Sequence, residues 1–243
     1  MRTITISHLL PKEFQTQEAL KTLRTNLLFC GPSYRAIALT SFGASEGKTT
    51  ISLQLAASLA QAGRKVLLLD ADLRKSVLQS RLHVKGKIGG LTHYLSGMAN
   101  VDELLNATDI PDLYIMFAGM RVPQSAELLG GESFAQLIPA LKTAFDYIIV
   151  DAAPAGQVVD CAVIAPSLDG VLLLVDATHN RHTLVRRIKN QLEKSGTKIL
   201  GVVLNRVDFK DKAGYYGKNY GYGGYGGYGG YGGYGESGSK KRE

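Results

Sequence analysis

Residues 42–50 read Phe-Gly-Ala-Ser-Glu-Gly-Lys-Thr-Thr, a short glycine-containing run that ends on a lysine and two hydroxyls. Such a run suits phosphate. Consecutive backbone N–H groups opening onto a helix N-terminus surround phosphate oxygens, a lysine reaches the outer oxygens, and the adjoining hydroxyl ligates magnesium. Gly43, Ala44, Ser45, Glu46, Gly47, Lys48, Thr49 and Thr50 are the residues so placed. Two further segments end in carboxylates: 67–74, Leu-Leu-Leu-Asp-Ala-Asp-Leu-Arg, and 147–154, Tyr-Ile-Ile-Val-Asp-Ala-Ala-Pro. Carboxylates beside a phosphate loop supply the hard oxygen ligands that magnesium and its waters require. One of Asp70 and Asp72 can hold a magnesium-bound water while the other accepts a proton from an attacking hydroxyl. Lys48, Asp70 and Asp72 are therefore the candidate catalytic residues and Thr49, Asp72 and Asp151 the candidate metal ligands; spacing leaves the base open between Asp70 and Asp72, and the expectation adopted is Asp70 as base. A single aspartate after an apolar strand is more often a helix cap or turn residue. Three such sites around one loop argue for a site.

These residues must be held by something rigid. Short apolar, β-branched runs recur at 36–41, 66–69, 114–117, 147–150, 170–175 and 199–204, and they read as buried parallel strands. Amphipathic stretches such as 49–62 and 183–194 lie between them. The alternation predicts a doubly wound, mostly parallel α/β sheet, in which ligands bind outside the carboxyl ends of the strands. The loop itself resembles a Walker A motif with one departure. The usual first glycine, five residues before Gly47, is Phe42, and Gly43 is displaced by one, which predicts a locally remodelled loop.

The 243 residues are 45% apolar and 20% charged, the composition of a globular α/β core and not of a disordered chain. Apolar stretches fall far short of the roughly 20 residues a spanning helix needs, and no leader pattern opens the chain, so a cytoplasmic location is expected. Cys30 and Cys161 are far apart and have no C-x-x-C partner or histidine pair, which supports neither zinc nor a disulfide framework; both are expected to be buried thiols. The formal charge is +7, but the last 35 residues hold six basic and three acidic side chains and so carry +3 of it. That segment, 209–243, is dominated by glycine and tyrosine, and 222–235 repeats Tyr-Gly-Gly. With maximal backbone entropy to lose and no aliphatic bulk to bury, it is expected to be a flexible coil. It would span about 30 Å root-mean-square and about 115 Å when fully extended, enough to reach a neighbouring subunit.

Taken together, these motifs resemble the bacterial tyrosine autokinases of the exopolysaccharide and capsule type, which are built on a P-loop ATPase fold. Residues 67–74 fit that family's second Walker motif, three aliphatics followed by D-x-D-x-R, and 147–154 fit its Walker B. Further similarity lies in 123–129, 169–175 and 201–208. The resemblance implies ATP and Mg2+ as cofactors and a kinase domain over 1–208, with Asn205 near the adenine. It also implies that Tyr215, Tyr216, Tyr220, Tyr222, Tyr225, Tyr228, Tyr231 and Tyr234 of the tail are phosphorylated in trans. Near the start, Glu18, Lys21 and Arg24 resemble the family's E-x-x-R-x-x-R segment for ring-like self-association, within an oligomerisation segment at 1–30. Lys21 stands for an arginine there, a point charge in place of a two-pronged donor. Spacing alone equally allows a solvated helix face with an internal Glu18–Lys21 pair. The resemblance further implies a separate transmembrane activator of the polysaccharide co-polymerase kind, recruitment to the inner face of the membrane, other protein substrates, and no nucleic acid.

Two other readings compete. P-loop ATPases that partition DNA or position the division site share the strand-end aspartates, but they bear a signature lysine where this chain has Gly43, and they have no evident use for eight tail tyrosines. A nucleic-acid-binding scaffold could stack bases on a Tyr-Gly tail, which leaves the phosphate loop unexplained.

Overall fold

The computed structural model describes residues 3–179 and 182–207. The tail tyrosines and the tail as a whole lie outside the described residues. In chain order the elements are β1 (Thr3–Ile4), α1 (Phe14–Phe29), β2 (Ala36–Ser41), α2 (Lys48–Gln61), β3 (Val66–Ala71), α3 (Leu78–Arg81), α4 (Leu91–Leu95), α5 (Val101–Leu104), β4 (Asn106–Thr108), β5 (Leu113–Met116), α6 (Ser125–Leu129), α7 (Glu132–Ala144), β6 (Tyr147–Ala152), α8 (Asp160–Ile164), β7 (Gly170–Asp176), α9 (His182–Lys194) and β8 (Ile199–Asn205). The strands form one sheet in the order β1-β4-β5-β3-β6-β2-β7-β8.

All neighbouring strands run parallel except β4 and β5. The sequence reading found six of the eight strands. It missed β1 and β4, which have two and three residues, too few for an apolar period to register, and these two run opposite to the other six. The central strands β2, β3, β6 and β7 are buried along their whole length, as a sheet covered on both faces by helices demands. Two apolar layers result. One packs α7, α8 and α9 on one face, through Phe134, Ile138, Ile164 and Ile188. The other packs α2 and the N-terminal segment on the opposite face, through Leu53, Leu55, Leu59 and Ile6.

Helix α1 lies against α2, and the residues expected to form an oligomer interface are partly spent within the chain. Lys21 pairs with Glu18 at 2.7 Å, both side chains about half exposed. Arg24 donates to the Ser58 carbonyl of α2 at 2.9 Å and to its hydroxyl at 3.2 Å. Expecting two buried thiols was half right. Cys161 is fully buried, and burial pushes its thiol up to about 11; Cys30 caps the C-terminus of α1 and is only partly covered, because the helix end faces outward.

The order of the central strands is what builds the site. A single crossover through α2 carries the chain from β2 to β3, and β6 is inserted between them. The carboxyl ends of three strands distant in sequence therefore meet. Asp70 of β3 and Asp151 of β6 are direct partners in the parallel register.

Candidate active site

Residues 42–47 follow β2 and turn into α2 with Gly47 at φ +100°, a backbone conformation that favours glycine. Space forbids a side chain there as well, since a Cβ on Gly47 would lie 2.3 Å from the Asn205 amide nitrogen. The loop is tied down from several directions. The Glu46 carboxylate accepts the N–H groups of Phe42 at 3.1 Å and Gly43 at 2.9 Å. Asn205 donates to the Glu46 carbonyl at 2.9 Å. Arg206 donates to the Ser45 carbonyl at 2.7 Å and to Asp176 at 2.6 Å. Ser45 and Arg206 both have left-handed backbones, at φ +64° and +58°.

Phe42 stands where the usual motif has its first glycine, and the structure shows what admits it. Gly156, after β6, has no side chain to collide with it: a Cβ there would sit 2.3 Å from the Phe42 carbonyl oxygen and 2.7 Å from its ring. The Phe42 side chain packs against the apolar layer beneath. Gly156→Ala is expected to cost about 1–3 kcal/mol by overpacking and to displace the start of the loop, weakening ADP binding about tenfold. Calorimetric titration and thermal melting check this; an unchanged ADP affinity would show that the loop does not depend on this gap.

At the floor lies Lys48, buried. Its Nζ donates to Asp151 Oδ1 at 2.7 Å and stands 3.9 Å from Asp72 Oδ2. Burial alone would lower the ammonium, but Asp151, with Asp72 and Asp70 behind it, outweighs that and leaves Lys48 above the ordinary lysine value. Asp151 also accepts the Ser52 hydroxyl at 3.3 Å. Asp70 is almost wholly enclosed, at 1% exposure. Burial first, and then its neighbour Asp151, push its carboxyl up to about 7. The Ser76 hydroxyl donates to one of its oxygens and the Asp72 N–H to the other.

Lys48 and Asp72 line a cavity of about 250 Å³, bounded by Gly43, Ala44, Ser45, Gly47, Lys48 and Thr49 on the loop side and by Asp72 opposite. Of the residues picked out from sequence, Glu46, Thr50, Asp70, Asp151 and Asn205 are not on its wall. Glu46 braces the loop. The Thr50 hydroxyl accepts from Arg81. Asp70 and Asp151 lie one layer down, and Asn205 sits behind the loop.

No group of three or more metal-binding side chains is assembled among the described residues. Magnesium asks for less, one or two carboxylates with water and substrate phosphate completing the shell. The Thr49 hydroxyl and the Asp72 carboxylate, both on the cavity wall, are oxygen donors of that kind. Asp151 would serve a metal only once Lys48 exchanges it for phosphate oxygens.

Sequence reasoning had Arg74 only as the end of the D-x-D-x-R run, without its partner, and missed other supporting residues. Arg74 pairs with buried Asp160 at 3.1 Å, and Asp160 also takes the Ser125 hydroxyl, so the segment after β3 is braced against α6 and α8. Ser76 and Gly156 carry no signal in their own sequence neighbourhood.

The fold and the cavity define a P-loop nucleotide-binding protein. Residues 34–199 match the AAA domain family. The tyrosine-protein kinase CpsD of Streptococcus agalactiae is 42% identical over 209 residues, which cover 86% of this chain and 90% of that protein. The VpsO kinase domain, a crystal structure, superposes with a TM-score of 0.73 at 35% identity, covering 80% of this chain and 96% of that one. The succinoglycan biosynthesis transport protein ExoP of Rhizobium meliloti is 34% identical over 79% of this chain, though the match spans only 25% of ExoP. The septum site-determining protein MinD of Pyrococcus horikoshii, complexed with Mg-ADP, is more distant, with a TM-score of 0.60 at 25% identity over 74% of this chain and 76% of that one. The chain belongs to the bacterial tyrosine autokinases and is a protein-tyrosine kinase.

Proposed function

We propose that the chain transfers the γ-phosphoryl group of ATP to tyrosines of its own tail, in trans, and that this modification regulates exopolysaccharide or capsule synthesis or export. The observation that carries the catalytic part is Lys48 at the cavity floor. A buried ammonium held between two carboxylates is preorganised to meet the charge that develops on a transferring phosphoryl group. Transfer forms a bond between the tyrosine Oη and the γ-phosphorus while the bond to the β–γ bridging oxygen breaks, its electron pair leaving with ADP. The Oη proton goes to the Asp70–Asp72 pair, in which Asp70 has the basicity to hold it near neutral pH. Magnesium at Thr49 and Asp72 would supply charge neutralisation for the phosphates.

The loop backbone orients the phosphates, and Asn205 lies on the side where the base would leave the loop. Self-association through α1 would bring a neighbour's tail to this cavity. Glu18, Lys21 and Arg24 can serve it only by exchanging their intrachain partners. Among the described residues no helix is long and apolar enough to cross a membrane, and a separate membrane-bound activator is part of this reading. The resemblance to part of ExoP fits such a division of labour.

The test mixes a Lys48→Met chain bearing an intact tail with active enzyme truncated after Ala213, at a temperature where both are folded, and maps phosphotyrosine. Phosphate on the inactive partner's tail is expected. An unlabelled tail in a mixture shown to associate and turn over ATP would sink transfer in trans. Each phosphate adds about −1.5 to −2 charges, so several reverse the tail's net +3 and repel it from the site's carboxylates.

A further inference from the structure

The cavity has two unlike sides. One is the phosphate loop with Lys48 and Thr49; the other carries Val77, Pro154 and Val158, interspersed with the polar side chains of Arg74, Lys75, Arg81 and Gln157. A triphosphate and its metal use the first and gain nothing from aliphatic carbon. Asn205, which the family resemblance puts near the adenine, is bound to the Glu46 carbonyl behind the loop and forms no part of the cavity wall, so on that reading the nucleoside leaves the second side free.

Val77 is 41% exposed, and Val158 is half-buried. An exposed β-branched side chain is unremarkable alone. Two of them above buried Pro154 give the rim of a charged cavity an apolar strip that faces a polar floor. Asp72 stands on the same cavity wall, so a group seated on this edge faces that carboxylate, with Asp70 one layer below it.

A tyrosine side chain matches that arrangement, with a flat apolar body and one polar tip. In the Tyr-Gly-Gly repeat of 222–235, no other side chain is near enough to add affinity, so recognition must fall on the ring. The flanking glycines let the backbone come close to the rim without collision. We propose that Val77, Pro154 and Val158 form the acceptor subsite, seating the ring of the incoming tyrosine with its Oη directed to the cavity floor. This rests on the kinase reading and adds to it the residues that choose the acceptor. Serine and threonine would reach the same floor without a ring to fill the edge, so the subsite selects tyrosine.

The test uses the full chain carrying Val77→Thr and Val158→Thr together. The replacements keep the shape of the side chain and place hydroxyls where ring contact is expected, at positions solvent already reaches. Initial rates of phosphotyrosine formation are measured on an added peptide of sequence 219–234 at rising concentration, with tail labelling separated by mass. A fluorescent ADP analogue reports nucleotide affinity. The peptide KM is expected to rise about tenfold, a loss of about 1.4 kcal/mol, while the ADP Kd stays within about twofold. Wild-type transfer with an unshifted peptide KM in the double variant overturns the subsite and leaves the kinase reading intact. A matching loss of ADP affinity also overturns it, by assigning the valines to the nucleotide. A wild-type chain that binds ADP and phosphorylates no tyrosine brings down the kinase reading and the subsite together.

Discussion

A Lys48→Met chain is expected to form phosphotyrosine about a thousandfold more slowly than wild type and to melt earlier. The first effect follows from losing the ammonium that meets the transferring phosphoryl group. The second follows from burial, which a lysine in a glycine-containing loop does not announce in its sequence. In the structure Lys48 is buried and bonded to Asp151 at 2.7 Å, and Asp151 is itself 1% exposed beside Asp70. Methionine fills the same space but leaves two adjacent carboxylates with no countercharge. Breaking one side of a buried pair costs about 3 kcal/mol or more, and for a domain of this size each kcal/mol lowers Tm by about 2–4 °C. A drop of about 6–12 °C by calorimetry is the expected result. Full stability in Lys48→Met would mean that the Lys48–Asp151 contact does not hold the site together, and unchanged phosphotyrosine formation would remove the loop from the chemistry.

Asp70→Asn and Asp72→Asn should both be severely impaired, and in different ways. Asp70 is enclosed and its carboxyl is pushed up to about 7, first by burial and then by Asp151; Asp72 stands on the cavity wall. Asp70→Asn is expected to lower kcat by about 10²–10⁴-fold with ADP affinity little changed. Asp72→Asn should lose the magnesium-dependent part of nucleotide affinity. The base acts as a carboxylate, so wild-type turnover should rise with pH through about 7 and level off above it, and the residual turnover of Asp70→Asn should lack that rise. Equal losses of ADP affinity in the two variants, or a wild-type profile flat from pH 6 to 8, would defeat this assignment.

The chemistry was legible in local spacing. Gly47, Lys48 and Thr49 are consecutive, Asp70 and Asp72 are two apart, and each group follows a run of apolar residues long enough to read as a strand. The strand-and-helix alternation announced the doubly wound sheet for the same reason, since burial on both faces leaves an uninterrupted apolar signature. Strands of two or three residues, β1 and β4, leave none.

What local pattern could not contain was any relation between distant segments. The insertion of β6 between β2 and β3 is set by how the layers pack, and it alone makes Asp151 the register partner of Asp70. The room for Phe42 comes from Gly156, more than a hundred residues later. The apolar rim of Val77 and Val158 exists only because the segments after β3 and β6 converge on one cavity. Residue types and their near neighbours thus determined which reaction the chain is equipped for. The burial of its charges, which raises Asp70 toward neutrality and binds Lys48 into the core, was decided by tertiary structure, because solvent exclusion and charge proximity depend on distance in space and not along the chain.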